Sequence, residues 1–457
     1  MKSPDSSQAR RDAMDIFLAG VDSVKPDNLI HRFVSLSAGT LCIENLSFEL
    51  DRLKHIYVIG AGKAGALMAQ SVEAVLGGRI TAGHIVTKYG HACPLRHLAI
   101  TEAGHPVPDE NGLLGTAEIL ALAQKAAAAD LVLCLISGGG SALLADVPAG
   151  CSLADLRALN DILLKCGADI VEINCIRKHL SRVKGGRLAR VAQPARLVSL
   201  ILSDVIGDPL DAIASGPTAP DPTTYGQALA VLDRHGIRDE IPPGLLRVLE
   251  QGAIGNLPET PKPGDGLFNH THNLVIGSNR LALESARVRA ESLGYRAHVL
   301  TSTLAGDTNA AACQIVELAL KTRSEHGAEK TCLLLGGEPT MKVTGNGLGG
   351  RNQHLALLAA RLLADHPGLT VLSGGTDGSD GPTDAAGAVS DSQTTVRARA
   401  LNLDLDRYLE NCDSYNFFDQ VGGLVRTGPT QTNVMDLIVV LIEPIGGVPL
   451  LGSKKEA

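Results

Sequence analysis

Residues able to do chemistry cluster where two short apolar runs each end in a diglycine. Gly336-Gly337-Glu338 follows the first run, Ser373-Gly374-Gly375-Thr376-Asp377 follows the second, and Arg351 lies between them. A short apolar run that stops at two glycines is typical of a buried strand followed by a loop whose backbone approaches a ligand closely. Open backbone amides, one guanidinium and several carboxylates suit an anionic ligand with a divalent cation. This stretch makes the chain a candidate enzyme that binds phosphate.

Acidic residues continue beyond the second diglycine. Asp377, Asp380 and Asp384 alternate with glycine and proline in one loop. Carboxylate oxygens are the ligands that Mg²⁺ prefers in proteins, so Asp377 and Asp380 are the candidate metal ligands. A role in bracing the site, without metal, is the alternative for this loop.

A glycine-rich turn in the first half of the chain admits two kinds of chemistry. Tyr57-Val-Ile-Gly60-Ala-Gly62-Lys63-Ala-Gly65 satisfies the G-x-G-x-x-G pattern of dinucleotide sites. The next strand ends in Val86-Thr87-Lys88-Tyr89, without the acidic residue that would hold a ribose. Lys63 instead suits a transferring phosphoryl group at a helix N-terminus, where backbone amides already favour anions. A hydride-transfer enzyme and a solvated surface lysine remain the alternatives.

Two further segments are candidate anion sites. Ser137-Gly138-Gly139-Gly140-Ser141 follows an apolar strand and opens a helix, so its amides and hydroxyls could bind a phosphate or a carboxylate. A tight structural turn is the alternative. The basic run from Asn174 to Arg187 contains Arg177 and Lys184. It is either a solvated helix face or, because it closes on a diglycine, a turn beside a ligand.

Two carboxylates, Asp204 and Asp208, follow the end of a predicted strand. Open α/β sheets place ligands at this edge. Either carboxylate could hold a metal or accept a proton from a hydroxyl, and capping of the next helix is the alternative for both.

The loops are connected by apolar runs that alternate with helical stretches rich in Ala and Leu, the pattern of a parallel α/β sheet. The predicted strands are His55–Ile59, Gly83–Thr87, Leu131–Ile136, Arg196–Leu202, Asn273–Ile276, Arg296–Leu300, Thr331–Leu335, Thr370–Ser373 and Leu437–Ile442. At 457 residues the chain exceeds what one hydrophobic core usually serves. A stretch rich in Pro and Gly at 251–269 is the best linker, and we predict domains at 1–260 and 261–457.

Composition excludes several classes of function. A net charge of −8 and 3% aromatic residues without Trp argue against a nucleic-acid surface. No apolar run approaches the length that a bilayer requires, and the first residues lack the apolar stretch of a signal peptide. The nine Cys residues form no C-x-x-C pair, which favours reduced thiols. We therefore expect a cytoplasmic protein without nucleic-acid or membrane partners. A homodimer is compatible with the sequence, which does not fix the oligomeric state.

Together these motifs resemble those of the class II glycerate 2-kinases, from about residue 50 to residue 440. The motifs that carry the resemblance are Gly60-Ala-Gly-Lys63-Ala, Ala103-Gly-His105-Pro-Val-Pro108-Asp109, Ser137-Gly-Gly-Gly-Ser141, Arg177-Lys178-His179-Leu-Ser, Leu202-Ser-Asp204-Val with Ala214-Ser-Gly-Pro-Thr, Gly337-Glu338-Pro-Thr, Gly350-Arg351-Asn-Gln, and Gly375-Thr-Asp-Gly with Asp380-Gly-Pro-Thr-Asp384-Ala-Ala-Gly. The resemblance implies an N-terminal Rossmann-like domain and a smaller α/β domain called MOFRL. It also implies phosphorylation of D-glycerate at the 2-hydroxyl by ATP with Mg²⁺.

The resemblance further implies four catalytic residues that meet in a cleft between the domains. These are Lys63, Asp204, Glu338 and Arg351. Lys63 and Arg351 would neutralise charge on the γ-phosphoryl oxygens, and Asp204 would orient or deprotonate the 2-hydroxyl, with Asp208 in reserve. Glu338 would hold Mg²⁺ or a substrate hydroxyl. The predicted binding residues are Gly60, Gly62, Ser137, Gly138, Gly139, Gly140, Ser141, Arg177, Lys184, Asp208 and Asn433.

Two other functions stay open at this point. One is an NAD(P)H-dependent hydroxypyruvate reductase, because members of this family have carried that label. The other is a sensor that binds a phosphate-containing ligand in the same loops without turnover.

Overall fold

The computed structural model describes residues 6–327 and 329–444 and divides the chain into two compact units. The first unit is Pro26–Ser278, and the second combines residues 6–25 with the described residues from Asn279 onward. Helix α1 (Ser6–Ser23) therefore belongs to the second unit, although it precedes the first unit in the chain. Within the described ranges, no helix is both long and apolar enough to span a bilayer.

The first unit is built around a parallel sheet. In chain order its elements are α2 (Pro26–Phe33), β1 (Val34–Ser37), β2 (Thr40–Ile43), β3 (Leu46–Glu49), β4 (Ile56–Ala61), α3 (Gly65–Leu76), β5 (Ala82–Lys88), β6 (Ala99–Ala103), α4 (Glu110–Lys125), β7 (Leu131–Ile136), α5 (Gly140–Leu143), α6 (Leu153–Lys165), α7 (Ile170–His179), α8 (Arg187–Val191), β8 (Arg196–Leu202), α9 (Tyr225–Arg234), α10 (Pro243–Ala253) and β9 (Thr271–Gly277). The sheet order is β6-β5-β4-β7-β8-β9, with every neighbouring pair parallel. Strands β1, β2 and β3 form a separate antiparallel sheet.

Burial explains why the centre of the large sheet is so apolar. Every residue of β4 and of β7 is buried, as expected of parallel strands that are covered on both faces. From β4 the chain builds the sheet in one direction through β5 and β6, and from β7 it builds in the other. The order reverses between β4 and β7, which places a topological switch point at their carboxyl ends.

The second unit contains a mixed sheet. Its elements after α1 are α11 (Asn279–Ser292), β10 (Arg296–Leu304), α12 (Thr308–His326), β11 (Thr331–Gly337), α13 (Arg351–Leu362), β12 (Leu369–Gly375), β13 (Gly387–Asp391), α14 (Ser392–Ala400), α15 (Leu405–Glu410), α16 (Ser414–Val421), β14 (Leu424–Val425) and β15 (Asp436–Ile442). The sheet order is β10-β11-β15-β12-β13-β14. Only β10 and β11 pair in parallel, and the other pairs in the described sheet are antiparallel.

All nine predicted strands are present, so the α/β fold class is confirmed. The division between the units differs from the predicted one in two places. Strand β9 pairs in parallel with β8, so residues 271–277 extend the first sheet and do not open the second unit. Helix α1 buries Ala13, Ile16 and Phe17 in the second unit, where a Cβ atom on Gly374 would lie 2.9 Å from the Phe17 ring.

Candidate functional site

Three loops of the first unit lie at the carboxyl ends of adjacent strands. Lys63 follows β4, Ser137–Ser141 follow β7, and Asp204 follows β8. Because parallel strands end at the same edge of a sheet, these loops share the switch-point edge. The fold therefore brings together three segments that the sequence predicted separately.

Hydrogen bonds join the first two loops into one rigid backbone. The Lys63 amide donates to the carbonyl of Gly138 at 2.9 Å, and the Ala64 amide donates to the Ser137 hydroxyl at 3.0 Å. Gly62 has a φ of +142°, and a Cβ atom there would lie 2.0 Å from the Ser137 hydroxyl oxygen. The Ser137 hydroxyl thus helps to fix the loop that carries Lys63.

Two glycines separate the candidate lysine from the candidate carboxylate. A Cβ atom built on Gly138 would lie 2.1 Å from Oδ2 of Asp204. One built on Gly139 would lie 2.8 Å from Nε2 of His105 and 3.4 Å from Cε of Lys63. Only glycine permits this approach, so the backbone of Gly138 and Gly139 is surrounded by an ammonium, a carboxylate and an imidazole. His105 belongs to a motif of the sequence but was not predicted as a site residue.

The ionisable groups around these glycines are perturbed. Burial raises the pKa of Asp204 above its ordinary value, and the Lys63 ammonium opposes this shift. Burial and the charges of Lys63, Lys88 and His91 lower the pKa of His105 to about 4. At neutral pH the imidazole is therefore uncharged, and Asp204 is the group with the raised affinity for a proton.

The remaining predicted residues of the first unit have different surroundings. Burial also raises the pKa of Asp208, which adopts a φ of +54° after β8. The Ser141 hydroxyl lies 2.7 Å from that of Ser215. The Lys184 ammonium is buried and donates to the carbonyl of Leu144 at 2.6 Å. Ser141 and Lys184 both line a pocket of about 310 Å³, in which the Lys184 ammonium is already engaged with a backbone carbonyl.

The second unit fixes Arg351 between two carboxylates. Arg351 begins α13, and its Nε and Nη2 donate to Oδ2 and Oδ1 of Asp436 at 2.6 and 3.0 Å. Its Nη1 lies 3.0 Å from Oε1 of Glu338, which follows β11. The Arg351 side chain is 33% exposed, whereas that of Asp436 is fully buried. Such a two-point carboxylate contact fixes the plane of the guanidinium.

Asp436 is a site residue that the sequence analysis missed. Asp436 is the first residue of the apolar strand β15. Its buried carboxylate pairs with Arg351, which lies 85 positions earlier in the chain, so no local sequence pattern indicates the contact. Burial would lower the pKa of Arg351, but hydrogen bonding to Asp436 and the charge of Glu338 outweigh it and raise the pKa. The guanidinium therefore keeps its charge in a partly buried position.

Replacing Asp436 with Asn is expected to lower kcat about 10- to 100-fold and to destabilise the protein by about 1–3 kcal/mol, because a bidentate charge-assisted contact is lost. The matched control is Asp391→Asn, since Asp391 is a buried partner of Arg10 in the same unit, with Nε to Oδ2 at 2.7 Å. Kinetics and thermal unfolding of both variants measure the two effects. The control should lose stability and keep its kcat, and equal loss of kcat in both variants contradicts a positioning role for Asp436.

The predicted metal ligands have structural partners. Oδ1 of Asp380 accepts the amide of Asn352 at 3.1 Å, and Oδ2 accepts that of Gln353 at 2.8 Å, so Asp380 caps α13. Burial raises the pKa of Asp380 to about 6 against these hydrogen bonds. Oδ1 of Asp377 accepts the Ser379 amide at 3.0 Å. In the described part of the chain, no three His, Cys, Asp or Glu side chains are grouped to hold a metal, and the metal role stays a prediction.

Asn433 also acts on nearby backbone. Its Oδ1 accepts the amide of Met435 at 2.9 Å, and Met435 has a φ of +70°. This contact lies directly before Asp436 in the chain. Asn433 therefore helps to shape the turn that presents Asp436 to Arg351.

Two family models match the chain. Residues 12–250 match DUF4147, a domain of unknown function, and residues 331–436 match the MOFRL family. The chain thus has the two-domain architecture of DUF4147 followed by MOFRL.

Similar proteins from other organisms identify the family. Glycerate 2-kinase of Pyrococcus horikoshii is 39% identical over 425 residues, which are 92% of this chain and 94% of that protein. D-glycerate 2-kinase of Thermotoga maritima is 40% identical over 441 residues, 96% of this chain and 99% of that protein. A crystal structure of glycerate kinase from T. maritima has a TM-score of 0.85 at 39% identity and covers 95% of this chain and 100% of its own. The chain belongs to the glycerate kinase family, as its sequence motifs indicated.

Proposed function

We propose that this protein transfers the γ-phosphoryl group of ATP to the 2-hydroxyl of D-glycerate, giving 2-phosphoglycerate and ADP. The observation that carries the proposal is the placement of Lys63 and Asp204 around Gly138 and Gly139 at the switch point of the sheet. Phosphoryl transfer needs a cation for the phosphoryl oxygens and a group that orients the attacking hydroxyl. The relatives named glycerate 2-kinase support the choice of donor and acceptor.

In this reaction Asp204 accepts the hydrogen bond, and then the proton, of the 2-hydroxyl. Its raised pKa makes the ionised form of Asp204 a stronger base than an exposed aspartate. Lys63 and Arg351 each place a positive charge on the phosphoryl oxygens as charge develops there. The Gly140 amide donates to the Ser137 carbonyl at 3.2 Å, and other amides of the Gly138–Ser141 loop bind further phosphate oxygens.

ATP-dependent phosphoryl transfer commonly uses Mg²⁺, which neutralises phosphate charge when it is bound. Because Mg²⁺ is usually held by one or two carboxylates together with the nucleotide, a cluster of three protein ligands is not required. Asp377 fits this chemistry better than Asp380, both of whose oxygens accept amides of α13. Asp377 would hold the ion, with Glu338, the partner of Arg351, as a second ligand.

A nicotinamide-dependent reductase suits the same loops less well. Strand β5 ends in Thr87 and Lys88, where a dinucleotide site places an acidic residue for the ribose. Glu102, on neighbouring β6, accepts the amide of Gly90 at 2.7 Å and so braces the loop after β5. The reaction is tested by ADP release that depends on D-glycerate, with hydroxypyruvate and NAD(P)H as the second arm. Oxidation of NAD(P)H without D-glycerate-dependent ADP release contradicts the proposal.

Replacing Asp204 with Asn is expected to lower kcat at least about 10²-fold, because the variant cannot accept the proton of the hydroxyl. In the wild type, kcat/KM should fall as the pH drops through the raised pKa of Asp204, because protonation removes the base. The acid limb of the profile therefore lies above the usual range for an aspartate. Asp208→Asn is the matched control, since Asn tolerates the positive φ at that position. If Asp208→Asn lowered kcat more than Asp204→Asn does, Asp208 would be the base that accepts the proton.

A further inference from the structure

A pocket of about 310 Å³ in the first unit is lined in part by Gly139, one of the glycines at the switch point. Its walls come from the loop at residues 105–108, the start of α5, and helices α6 and α7. Gly139 and His105 line it, and Gly139 also neighbours Lys63. The volume lies at the lower end of the range for small-ligand sites, which is roughly 300–1,000 Å³. The pocket is thus adjacent to the proposed reaction site and suited to a small molecule.

Arg177 supplies a positive charge to this pocket. It lies on α7, lines the pocket, and donates from Nε to Oδ1 of Asn160 at 3.0 Å. This partner is a neutral amide, and among the described residues no carboxylate lies within ion-pairing distance of Arg177. Burial lowers the pKa of Arg177, which reflects the cost of its uncompensated charge. A partly buried guanidinium without a counter-charge favours an anionic ligand.

Neighbouring cations of the same basic run are neutralised within the protein. Lys178 lies 2.7 Å from Oδ1 of the fully buried Asp221 and 3.3 Å from Oδ2 of Asp211. Lys184 lies 3.7 Å from Oδ1 of Asp146 in addition to its bond with a carbonyl. Lys184 lines the pocket too, but its charge is paired with Asp146, whereas Arg177 has no carboxylate partner among the described residues. Of these three cations, Arg177 is the one whose charge is left for a ligand.

Helix α7, which carries Arg177, is held at both ends. A capping box of Asp169 and Glu172 fixes its start. At its end, Nδ1 of His179 lies 2.7 Å from the carbonyl of Cys175, and Nε2 lies 3.1 Å from Glu259. The backbone that carries Arg177 is therefore fixed, and the hydrogen bond from Nε to Asn160 restricts the side chain, which reduces the entropy lost when a ligand binds.

We propose that Arg177 binds the carboxylate of a small hydroxy acid in this pocket, an inference that rests on the proposed function, in which such an acid is the phosphoryl acceptor. The planar fork of a guanidinium matches a carboxylate with two parallel hydrogen bonds. Leu159 and Leu180 provide an apolar wall for a short carbon chain. Asp146 and Asp161 also line the pocket, and they would repel the several negative charges of a triphosphate more than the single charge of a carboxylate.

The test combines a variant of the protein with a neutral form of the ligand. Arg177→Met should raise KM and the dissociation constant for D-glycerate about 10- to 100-fold, because one charge-assisted contact is removed, and should leave KM for ATP within about twofold. Arg177→Lys keeps the positive charge but loses the planar guanidinium. Its KM and dissociation constant for D-glycerate should lie between those of the wild type and of Arg177→Met. In calorimetry the wild type should prefer D-glycerate to D-glyceramide, and Arg177→Met should lose that preference. Arg182→Met is the control, because Arg182 is 64% exposed and does not line the pocket.

The outcomes test carboxylate binding by Arg177 independently of the kinase activity. Loss of the preference for the carboxylate in Arg177→Met supports the subsite even if the wild type shows no kinase activity, because binding is measured directly. Unchanged affinity for D-glycerate in a folded Arg177 variant contradicts the proposal. A rise in KM for ATP alone would assign Arg177 to a nucleotide phosphate and equally overturn it. Thermal unfolding of both Arg177 variants and of Arg182→Met shows whether the proteins are folded.

Discussion

Arg351→Ala is expected to lower kcat on the order of 10³-fold, as for other arginines that stabilise a transferring phosphoryl group. The guanidinium is fixed by two hydrogen bonds to buried Asp436 and by the charge of Glu338, so it is oriented before substrate arrives. Preorganised charge of this kind acts on the transition state more than on the ground state, which is why kcat changes more than KM. Steady-state kinetics with D-glycerate and ATP measure the effect.

A second arginine on the same helix provides the control. Arg361 lies near the end of α13 and pairs with Asp406 at 3.0 Å, with its side chain 49% exposed. Because exposed ion pairs contribute little, Arg361→Ala should keep nearly full activity. If Arg351→Ala changed only the affinity for a ligand and left kcat intact, Arg351 would be a binding residue and catalysis would not depend on it. That result would favour the sensor interpretation.

Lys63→Met is expected to lower kcat about 10²- to 10³-fold, because one preorganised positive charge is lost from the phosphoryl site. The variant also predicts a shift in the pH profile. Burial raises the pKa of Asp204 and the Lys63 ammonium lowers it, so removal of Lys63 raises that pKa further. A base must be ionised to act, and the acid limb of kcat/KM should therefore move to higher pH.

Lys54→Met serves as the comparison for Lys63, since Lys54 is exposed just before β4. It should preserve both kcat and the position of the acid limb. If Lys63→Met lowered kcat but left the acid limb of kcat/KM at the same pH, the Lys63 charge would not act on the pKa of Asp204. An unchanged kcat in Lys63→Met would contradict the placement of the phosphoryl site at the switch point.

The strands were predictable because the sequence marks them directly. Leu131–Ile136 and Arg196–Leu202 are apolar runs bounded by turn residues, and the structure gives them the same limits. Their parallel order in the first sheet follows from the alternation with helices. The antiparallel pairing of β15 with β11 and β12 does not, because pairing between strands distant in the chain leaves no local pattern. Strands β1, β2 and β3 were not predicted, because each has only four residues.

The candidate site was predictable only in part, for a physical reason. Lys63 and Asp204 follow strands, and a strand end beside glycine is visible in a sequence. Asp436 and His105 act through contacts with distant residues, which appear only once the chain is folded. Asp380 was predicted as a metal ligand from its acidic loop, although the structure uses both of its oxygens to cap α13. A carboxylate that caps a helix and one that binds a metal look alike in a sequence.

The identity of the product tests the proposed reaction most directly. The protein is incubated with D-glycerate, ATP and Mg²⁺, and enolase is added without phosphoglycerate mutase, so that only 2-phosphoglycerate gives phosphoenolpyruvate. Transfer to the 2-hydroxyl predicts phosphoenolpyruvate in proportion to the ADP released. ADP release that gives phosphoenolpyruvate only after mutase is added would contradict transfer to the 2-hydroxyl. No ADP release, together with NAD(P)H oxidation by hydroxypyruvate, would contradict the kinase itself.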